Sequence, residues 1–460
     1  MVMVSEVAKK FAILCFSVLV VLAPIMDSYG YINIAANIFL LAAAMIMLSS
    51  VTSERRGGID LMLCFFFLFI IALPAKIQIS AGYFPWSANL ALQDISLAYG
   101  VISLSLLFYM AGFSFAARSN FSQRYNLGRS SQMDAAFYTK WASLIAVTSF
   151  LFAIAAGPSA WFVARIGEER ALFEGITQQL LFVARSLSLL AIIMMLYLGL
   201  YAGSKVLRRY NKAVLVFFAV PFVIINFPPA LPRFLLFGVL IAISCPWIEY
   251  RQPKIKAVII PVAILLLFVV FPITKSIGRE DYESFLNLFG TIDAQTYLLN
   301  VDFDAFMQVV STIEYLLGGG DLRWGNNFLG VLLFFVPRSI WPGKPLDTGE
   351  IVSVSQGYLY NNVSNPLPSE ALIAFGIIGP AIVFFLLAIA IYRIENVAGK
   401  LVVGCANIHY HFLYAISMGF IVIILRGSIN GIAPQISSAF LAFFLMQYFR
   451  KKRIIWRQAS

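Results

Sequence analysis

The sequence predicts an all-helical, polytopic membrane protein with about twelve transmembrane helices. Of its 460 residues, 61% are hydrophobic and 12% are charged, a balance far from that of soluble domains. The apolar residues form repeated runs close to the length that a helix needs to cross the hydrocarbon core of a bilayer. These runs lie near residues 11–28, 31–50, 59–76, 95–115, 138–157, 178–201, 213–226, 232–248, 256–272, 369–392, 409–426 and 432–449.

The first run, at residues 11–28, has the length of the apolar part of a signal peptide. Pro24 and Asp27 end it, and no clean small-x-small cleavage site follows. We therefore expect this run to be retained as the first span.

Basic residues occupy every second connection between the runs and indicate the orientation. They are Arg55 and Arg56; Arg118, Arg124, Arg129 and Lys140; Lys205, Arg208, Arg209 and Lys212; Arg251, Lys254 and Lys256; Arg393 and Lys400; and the tail Arg450, Lys451, Lys452, Arg453 and Arg457. This alternation follows the positive-inside rule if both termini are cytoplasmic. Because the bases are dispersed over short loops, the net charge of +11 indicates topology and contact with the lipid bilayer, not nucleic-acid binding.

The predicted spans divide the chain into three parts. Residues 1–272 hold spans one to nine, residues 273–368 form a large external loop, and residues 369–460 hold the last three spans and a basic cytoplasmic tail. The loop carries five basic and ten acidic residues, so it is net acidic within a basic protein. A structureless connection of this length is unusual, and we expect the loop to fold.

The external loop has its own pattern. Apolar residues recur every three or four positions and predict an amphipathic helix; they are Leu299, Phe303, Phe306, Val310, Ile313 and Leu317. The run Phe328–Val336 would rise only about 14 Å as a helix, which is too short to cross a membrane. The segment VPRSIWPGKPLDTG follows at residues 336–349 and places charge and three prolines beside the membrane.

Several arginines lie on the predicted outer side, where positive-inside statistics predict few. They are Arg165, Arg185, Arg233, Arg279, Arg338 and Arg426. A single arginine at the end of a span can anchor a helix by extending to the interface. A group of them favours an anion site, because guanidinium is a permanently charged fork that matches phosphate or pyrophosphate.

Short motifs accompany this architecture: FVPR at residues 335–338, KP at 344–345, SE at 369–370 and FGIIG at 375–379. Arg338 is followed by ten residues and then Gly349, an R-x10-G spacing, whereas nine residues separate Arg165 from Gly175. With the outer arginines and the large late loop, these features resemble the O-antigen polymerases (Wzy-type), the oligosaccharide repeat-unit polymerases of bacterial envelopes.

The resemblance implies a GT-C-like membrane glycosyltransferase of the bacterial inner membrane that needs no metal or other cofactor. Such an enzyme transfers a growing glycan from undecaprenyl pyrophosphate to an incoming lipid-linked repeat unit on the periplasmic face. A chain-length regulator and a flippase are the further partners that the resemblance suggests. The residues it implies for binding the pyrophosphate are Arg165, Arg233, Arg279, Arg338, Lys344 and Arg426.

The acceptor hydroxyl in this reaction needs a general base. Glu370, at the outer mouth of a predicted span, is the first candidate, and Asp347 is the second. For Glu370 an alternative is a purely structural role, because a carboxylate in the first turn of a helix is stabilised by the helix dipole. Arg338 completes the predicted catalytic set, because its charge can stabilise the leaving pyrophosphate.

Two further patterns bear on metals and on alternative functions. Asp302-Phe303-Asp304 has the D-x-D form of a metal motif, but on the predicted helix residues two apart point in different directions, and we predict no metal site. His409 and His411 lie at the cytoplasmic start of a span. An O-antigen ligase, the second interpretation, resembles this topology but uses an external histidine. A flippase, the third, would place ionisable groups near the bilayer midplane, where the predicted spans carry almost no charge.

Overall fold

The computed structural model describes residues 30–86, 90–119, 132–162, 175–271, 294–361, 363–398 and 408–459. The elements of these ranges are helical, as predicted. They are α1 (Gly30–Thr52), α2 (Gly58–Ala81), α3 (Leu92–Arg118), α4 (Gln132–Ala156), α5 (Ile176–Tyr201), α6 (Lys205–Ile225), α7 (Arg233–Ser244), α8 (Pro253–Leu265), α9 (Ala294–Leu298), α10 (Ala305–Leu317), α11 (Asn326–Leu332), α12 (Thr348–Ser355), α13 (Leu367–Phe375), α14 (Ile378–Ala398), α15 (Ile408–Arg426) and α16 (Ala433–Ala459).

Seven helices in the described ranges are long and apolar enough to cross a membrane: α1 to α5, α14 and α15. The chain is therefore a helical membrane protein. The predicted span at 11–28 lies outside the described residues. The spans predicted at 213–226, 232–248, 256–272 and 432–449 correspond to α6, α7, α8 and α16, which are shorter or more polar. A total of about twelve spans stays a prediction.

The helix α2 is the centre of the bundle. Its most apolar stretch is completely buried inside the protein, and α1, α14 and α15 pack against it. A helix that is hydrophobic on every side is stable where protein surrounds it. This accounts for the almost unbroken apolar sequence LMLCFFFLFIIAL at residues 61–73.

Close helix crossings in the bundle depend on glycine. A Cβ at Gly238 in α7 would overlap the carbonyl oxygen of Gly419 in α15, and a Cβ at Gly112 in α3 would overlap that of Phe385 in α14. Small residues let the backbones of membrane helices approach, so that van der Waals contacts hold them together without a hydrophobic driving force.

The bundle has two chemically different ends. We call the end that carries α9 to α13 the loop end, and the opposite end the basic end. At the basic end, the Lys256 ammonium donates to three backbone carbonyls of residues 50–56 at 2.5–2.8 Å. Arg450 near the end of α16 contacts His409 at the start of α15. Because Tyr414 of α15 also accepts a hydrogen bond from the backbone N–H of Gly58, the connections that carry Arg56, Lys256 and Arg450 lie at one end.

A buried charged cluster that the sequence did not predict ties the basic end together. Arg56 and Asp60 form an ion pair of 2.7 Å, and both side chains are almost completely buried. The carboxylate of Glu395, on α14, accepts from the backbone N–H groups of Gly57 at 2.7 Å and of Asp60 at 2.9 Å. Buried charges are tolerated where they are paired and hydrogen-bonded in this way.

Two predicted elements of the loop end have different bounds in the structure. The amphipathic helix begins at Ala305, because Val301–Phe303 forms a separate 3-10 turn before it. The span predicted at 369–392 is divided at Gly376, whose φ of +63° breaks the helix. Glu370 therefore lies on the short helix α13, and the candidate span α14 starts at Ile378.

Candidate functional site

Glu370 is the centre of a buried hydrogen-bonded cluster at the loop end. Its side chain is fully buried. Its Oε1 accepts from Thr348 Oγ1 at 2.5 Å, from Ser428 Oγ at 2.9 Å and from the backbone N–H of Ile429 at 3.0 Å. Its Oε2 accepts from Asn327 Nδ2 at 2.8 Å. One carboxyl group thus joins α11, α12, α13 and the segment that follows α15.

The environment of Glu370 disfavours its charged form. Burial raises its pKa from the ordinary value of 4.5 to about 7, because the donated hydrogen bonds only partly offset the loss of water. The hydroxyls of Thr348 and Ser428 are 2.8 Å apart as well as bonded to Glu370. A carboxyl with this pKa can take up or release a proton near neutral pH, and the two hydroxyls lie beside it.

Asp347, the second predicted base, lies next to this cluster. It caps the N-terminus of α12, where its Oδ1 accepts from the backbone N–H of Gly349 at 3.0 Å. Burial raises its pKa as well. The same N–H lies 3.3 Å from Ser428 Oγ, so the structure brings the two predicted bases, Glu370 and Asp347, around one serine.

Arg426 and Arg233 form the second part of the site, which we call the arginine pair. The Arg426 guanidinium lies 3.8 Å from Asp304 Oδ1 and 4.4 Å from the centre of the Phe234 ring. Arg233 Nη2 lies 3.2 Å from Asp302 Oδ1. The two arginine side chains keep about a fifth of their surface exposed, at 18% and 21%. The pair is therefore oriented by carboxylates and a ring, yet still reachable.

A single backbone segment connects the arginine pair with the Glu370 cluster. Arg426 ends α15, and Ser428 follows two residues later. Between them, Gly427 has a φ of +66°, and a Cβ there would overlap the carbonyl oxygen of Asn365. Only glycine fits such a position without strain. This tight turn lets the Arg426 guanidinium face Asp304 while the Ser428 hydroxyl faces Glu370.

The proline-rich turn at residues 336–345 closes on itself. Arg338 Nη1 donates to the carbonyl of Lys344 at 2.6 Å, and Nη2 donates to that of Pro345 at 3.2 Å. Lys344 Nζ donates to the carbonyls of Phe334 at 2.6 Å and Val336 at 3.0 Å. Both side chains thus hold the turn together, while Arg338 remains exposed to solvent.

The D-x-D motif is occupied by other partners. Asp302 faces Arg233, whereas Asp304 accepts from Trp86 Nε1 at 3.0 Å and from Ser364 Oγ at 2.9 Å. Asp302 lies in the 3-10 turn and Asp304 precedes α10, so the prediction of one helix across the motif was wrong. The two carboxylates orient different neighbours, and the described residues contain no group of three or more histidine, cysteine or acidic side chains placed to hold a metal ion.

Some predicted residues are placed elsewhere. Arg165 and Arg279 lie outside the described residues. His409 and His411 start α15 at the basic end, whereas Arg426 ends the same helix at the loop end. Arg185 lies within α5, buried, and its Nε donates to the carbonyl of Ile225 at 3.0 Å.

Other residues of the site were not predicted. Asn327, Thr348 and Ser428 are 43, 22 and 58 residues from Glu370 in the sequence. No local pattern marks them, because a serine or threonine in a loop is common in any protein. The carboxylate alone, in a mostly apolar segment, signals that buried donors must lie nearby.

Comparison with known protein families, with curated proteins and with solved structures gives no match for this chain. Its function therefore has to be argued from its own residues and their geometry.

Proposed function

We propose that the protein polymerises lipid-linked oligosaccharide repeat units. It would transfer the growing glycan from undecaprenyl pyrophosphate to the sugar of an incoming lipid-linked unit, in the synthesis of O-antigen or a related surface polysaccharide. In this proposal the chain is a GT-C-like protein of about twelve spans in the bacterial inner membrane. The basic end and both termini face the cytoplasm, and the loop end faces the periplasm.

The arginine pair is the observation that carries the proposal. Transfer breaks the bond between the anomeric carbon and a phosphate oxygen, and the leaving pyrophosphate gains negative charge. Two guanidinium groups that are oriented beforehand stabilise that charge more in the transition state than in the ground state. Arg233 and Arg426 are partly exposed at the end of apolar helices, where the head group of a lipid carrier can reach them.

The remaining basic residues extend this site. Arg338 is exposed, and its hydrogen bonds go to backbone carbonyls, which phosphate oxygens can replace as acceptors. Lys344 stabilises the same turn, and burial together with Arg338 lowers its pKa. Arg165 and Arg279 belong to the proposal on the sequence alone.

Glu370 is the proposed base, and it acts through hydroxyl groups. Its own oxygens are enclosed, so a sugar hydroxyl does not reach them directly. Thr348 and Ser428 donate to the same oxygen of Glu370 and lie within hydrogen-bond distance of each other. Thr348 is 1% exposed and Ser428 6% exposed, so this relay requires the acceptor sugar to enter beside Ser428. The sugar hydroxyl then passes its proton to Ser428 Oγ as Ser428 gives its own proton to Glu370 Oε1. Asp347, beside Ser428, is the alternative base.

Reconstitution tests the proposal directly. The purified protein is placed in lipid vesicles with undecaprenyl-pyrophosphate-linked repeat units as its sole substrate, and the lipid-linked products are separated by size. We expect a ladder of polymers that Arg426→Gln abolishes and that Arg55→Gln, an exposed arginine at the basic end, leaves intact. A parallel reaction contains added lipid A core; transfer to that core, with no ladder in either reaction, would instead identify a ligase.

A flippase is the second candidate, because charged side chains are buried within candidate spans. Lys76 is almost fully buried near the loop end of α2 and donates to Asn33 at 2.9 Å, and Arg185 is buried inside α5. The expectation that charge would be almost absent from the spans thus has exceptions, and Asp60 in α2 and Glu395 in α14 are two more. Such residues mark substrate paths in transporters. Movement of a labelled lipid-linked oligosaccharide across the vesicle membrane, without a ladder, would favour this function.

A further inference from the structure

Three aromatic side chains gather at the loop end beside the arginine pair; we call them the aromatic platform. Trp86, which follows α2, stacks on Tyr358 with ring centres 5.9 Å apart and an angle of 23° between the planes. Tyr360 meets the same indole ring edge-on at 6.1 Å and 66°. Tyr360 is 64% exposed, so this part of the platform is open.

Hydrogen bonds at the polar ends of the rings hold the platform in place. The indole N–H of Trp86 donates to Asp304 Oδ2 at 3.0 Å, and the Tyr358 hydroxyl lies 2.6 Å from Ser311 Oγ. Asp304 and Ser311 are both buried. The Trp86 and Tyr358 rings are therefore fixed before any ligand arrives, which reduces the entropy that binding would cost.

The backbone at Trp86 has an unusual conformation for a large residue. Its φ is +75°, in the left-handed region that side chains with a Cβ rarely adopt. Strain of this kind persists where the surroundings impose it. Trp324 shares the conformation, with a φ of +48°, so what distinguishes Trp86 is its stacking on Tyr358 and its hydrogen bond to Asp304.

One carboxylate links the platform to the arginine pair. Asp304 accepts from Trp86 through Oδ2, and its Oδ1 lies 3.8 Å from the Arg426 guanidinium. A phosphate held by Arg426 would therefore have the indole as a near neighbour. The group that follows a phosphate in a lipid-linked sugar is a pyranose ring, whose axial C–H groups form an apolar face that packs on aromatic rings.

We propose that Trp86, Tyr358 and Tyr360 form a sugar-binding subsite that packs against a pyranose ring of the glycan next to the pyrophosphate. The assignment rests on the proposed function for the identity of the ligand, a lipid-linked glycan. The contact is made to the apolar face of the ring, while Asp304 and Arg426 border it with polar groups. The platform positions the sugar and takes no part in bond making.

Glycan binding without any lipid or pyrophosphate tests the subsite. The full-length protein is placed in lipid nanodiscs, because a sugar-headed detergent would compete, and is applied to an array of bacterial surface oligosaccharides. The oligosaccharide that binds best is then titrated in solution. We expect Trp86→Ala and Tyr360→Ala each to weaken its binding by about tenfold, the effect of losing one well-placed aromatic contact.

Trp324→Ala is the matched control, because Trp324 lies at the same end and is 77% exposed but is not part of the stacked group. It should bind glycan as the unaltered protein does. Trp86→Phe should keep most of the binding, since a ring remains, and it shows whether a loss in Trp86→Ala reflects misfolding. Equal losses in Trp86→Ala and Trp324→Ala, or no binding of the unaltered protein to any glycan on the array, would overturn the subsite.

Together, the binding and ladder assays distinguish failure of the sugar-binding subsite from failure of the polymerase proposal. Glycan binding that depends on Trp86 and Tyr360 in a protein that forms no ladder keeps the subsite and removes the polymerase. A normal ladder and normal glycan binding in both alanine variants keeps the polymerase and removes the subsite. Loss of contact with lipid head groups in these variants, with glycan binding unchanged, would show that the rings anchor the protein at the membrane surface instead.

Discussion

Replacing Glu370 by glutamine should change how the stability of the protein depends on pH. The neutral amide keeps the size of the side chain and an acceptor for Thr348, Ser428 and Ile429. On the other side, the new NH2 group would face Asn327 Nδ2, but Asn327 Oδ1 is buried without a hydrogen-bond partner. Rotation of the Asn327 amide restores a hydrogen bond there but breaks the one that Asn327 Nδ2 donates to the Glu370 backbone carbonyl at 3.1 Å, so the rearrangement should cost about 1 kcal/mol.

The magnitude follows from the pKa. Burial raises the pKa of Glu370 from 4.5 to about 7, so the folded protein holds this proton over a range in which the unfolded chain has released it. The free energy of unfolding therefore falls as the pH rises from 4.5 to 7. At ~1.4 kcal/mol per pH unit, the loss is about 3 kcal/mol. Because glutamine has no ionisable carboxyl, the free energy of unfolding of Glu370→Gln does not fall in this way.

The two effects together predict a change of sign. At pH 4 the variant should be less stable than the unaltered protein by about 1 kcal/mol, near pH 5 the two should be about equally stable, and at pH 8 the variant should be more stable by about 2 kcal/mol. Thermal unfolding in nanodiscs, measured at half-unit steps between pH 4 and pH 8, shows this as melting curves that cross. Glu350→Gln, which removes an exposed carboxylate on α12, controls for the loss of an acid. Parallel profiles for Glu370→Gln and the unaltered protein would refute the buried, proton-holding state.

Three further predictions concern the rest of the site. Arg338→Ala should abolish the polymer ladder and leave a folded, inserted protein, because the side chain is exposed; normal ladders would exclude Arg338 from the active site. Gly427→Ala should lower the free energy of unfolding by more than ~2 kcal/mol, since a Cβ would meet Asn365; an unchanged melting temperature would contradict this. Asp302→Asn removes the negative charge beside Arg233 and should tighten the binding of pyrophosphate. The concentration of inorganic pyrophosphate that halves ladder formation should fall about threefold, the scale of a partly exposed ion pair. A rise in that concentration would argue against Arg233 as a ligand.

The sequence is sufficient for those parts of the structure that depend on local composition. Hydropathy located α1 to α5 and α15, because each of these helices must be apolar over a bilayer's thickness. The alternation of basic connections correctly grouped Arg56, Lys256 and Arg450 at one end. A cluster such as Arg56, Asp60 and Glu395 was missed, because its members come from helices that meet only in the folded bundle.

The division between α13 and α14 shows where hydropathy fails. The segment from Ala371 to Tyr392 is apolar throughout, and composition alone cannot reveal a change of direction at Gly376. The backbone there adopts a positive φ, so the helix ends and Glu370 is placed among Asn327, Thr348 and Ser428. The FGIIG motif contained the necessary glycine, but a glycine in an apolar run is also common within a continuous span.

The enclosed position of α2 has a consequence for synthesis in the cell. The backbone N–H groups of Gly57 and Asp60 donate to the carboxylate of Glu395, a residue that is synthesised 335 residues after Asp60. At 5–20 residues per second, a ribosome takes about 20 to 70 s to bridge that interval. During this time α2 already resides in the membrane, but α14 and α15, which later cover it, do not yet exist. A chain whose translation stops before α14 would lack the carboxylate that accepts from the two backbone N–H groups at the start of α2.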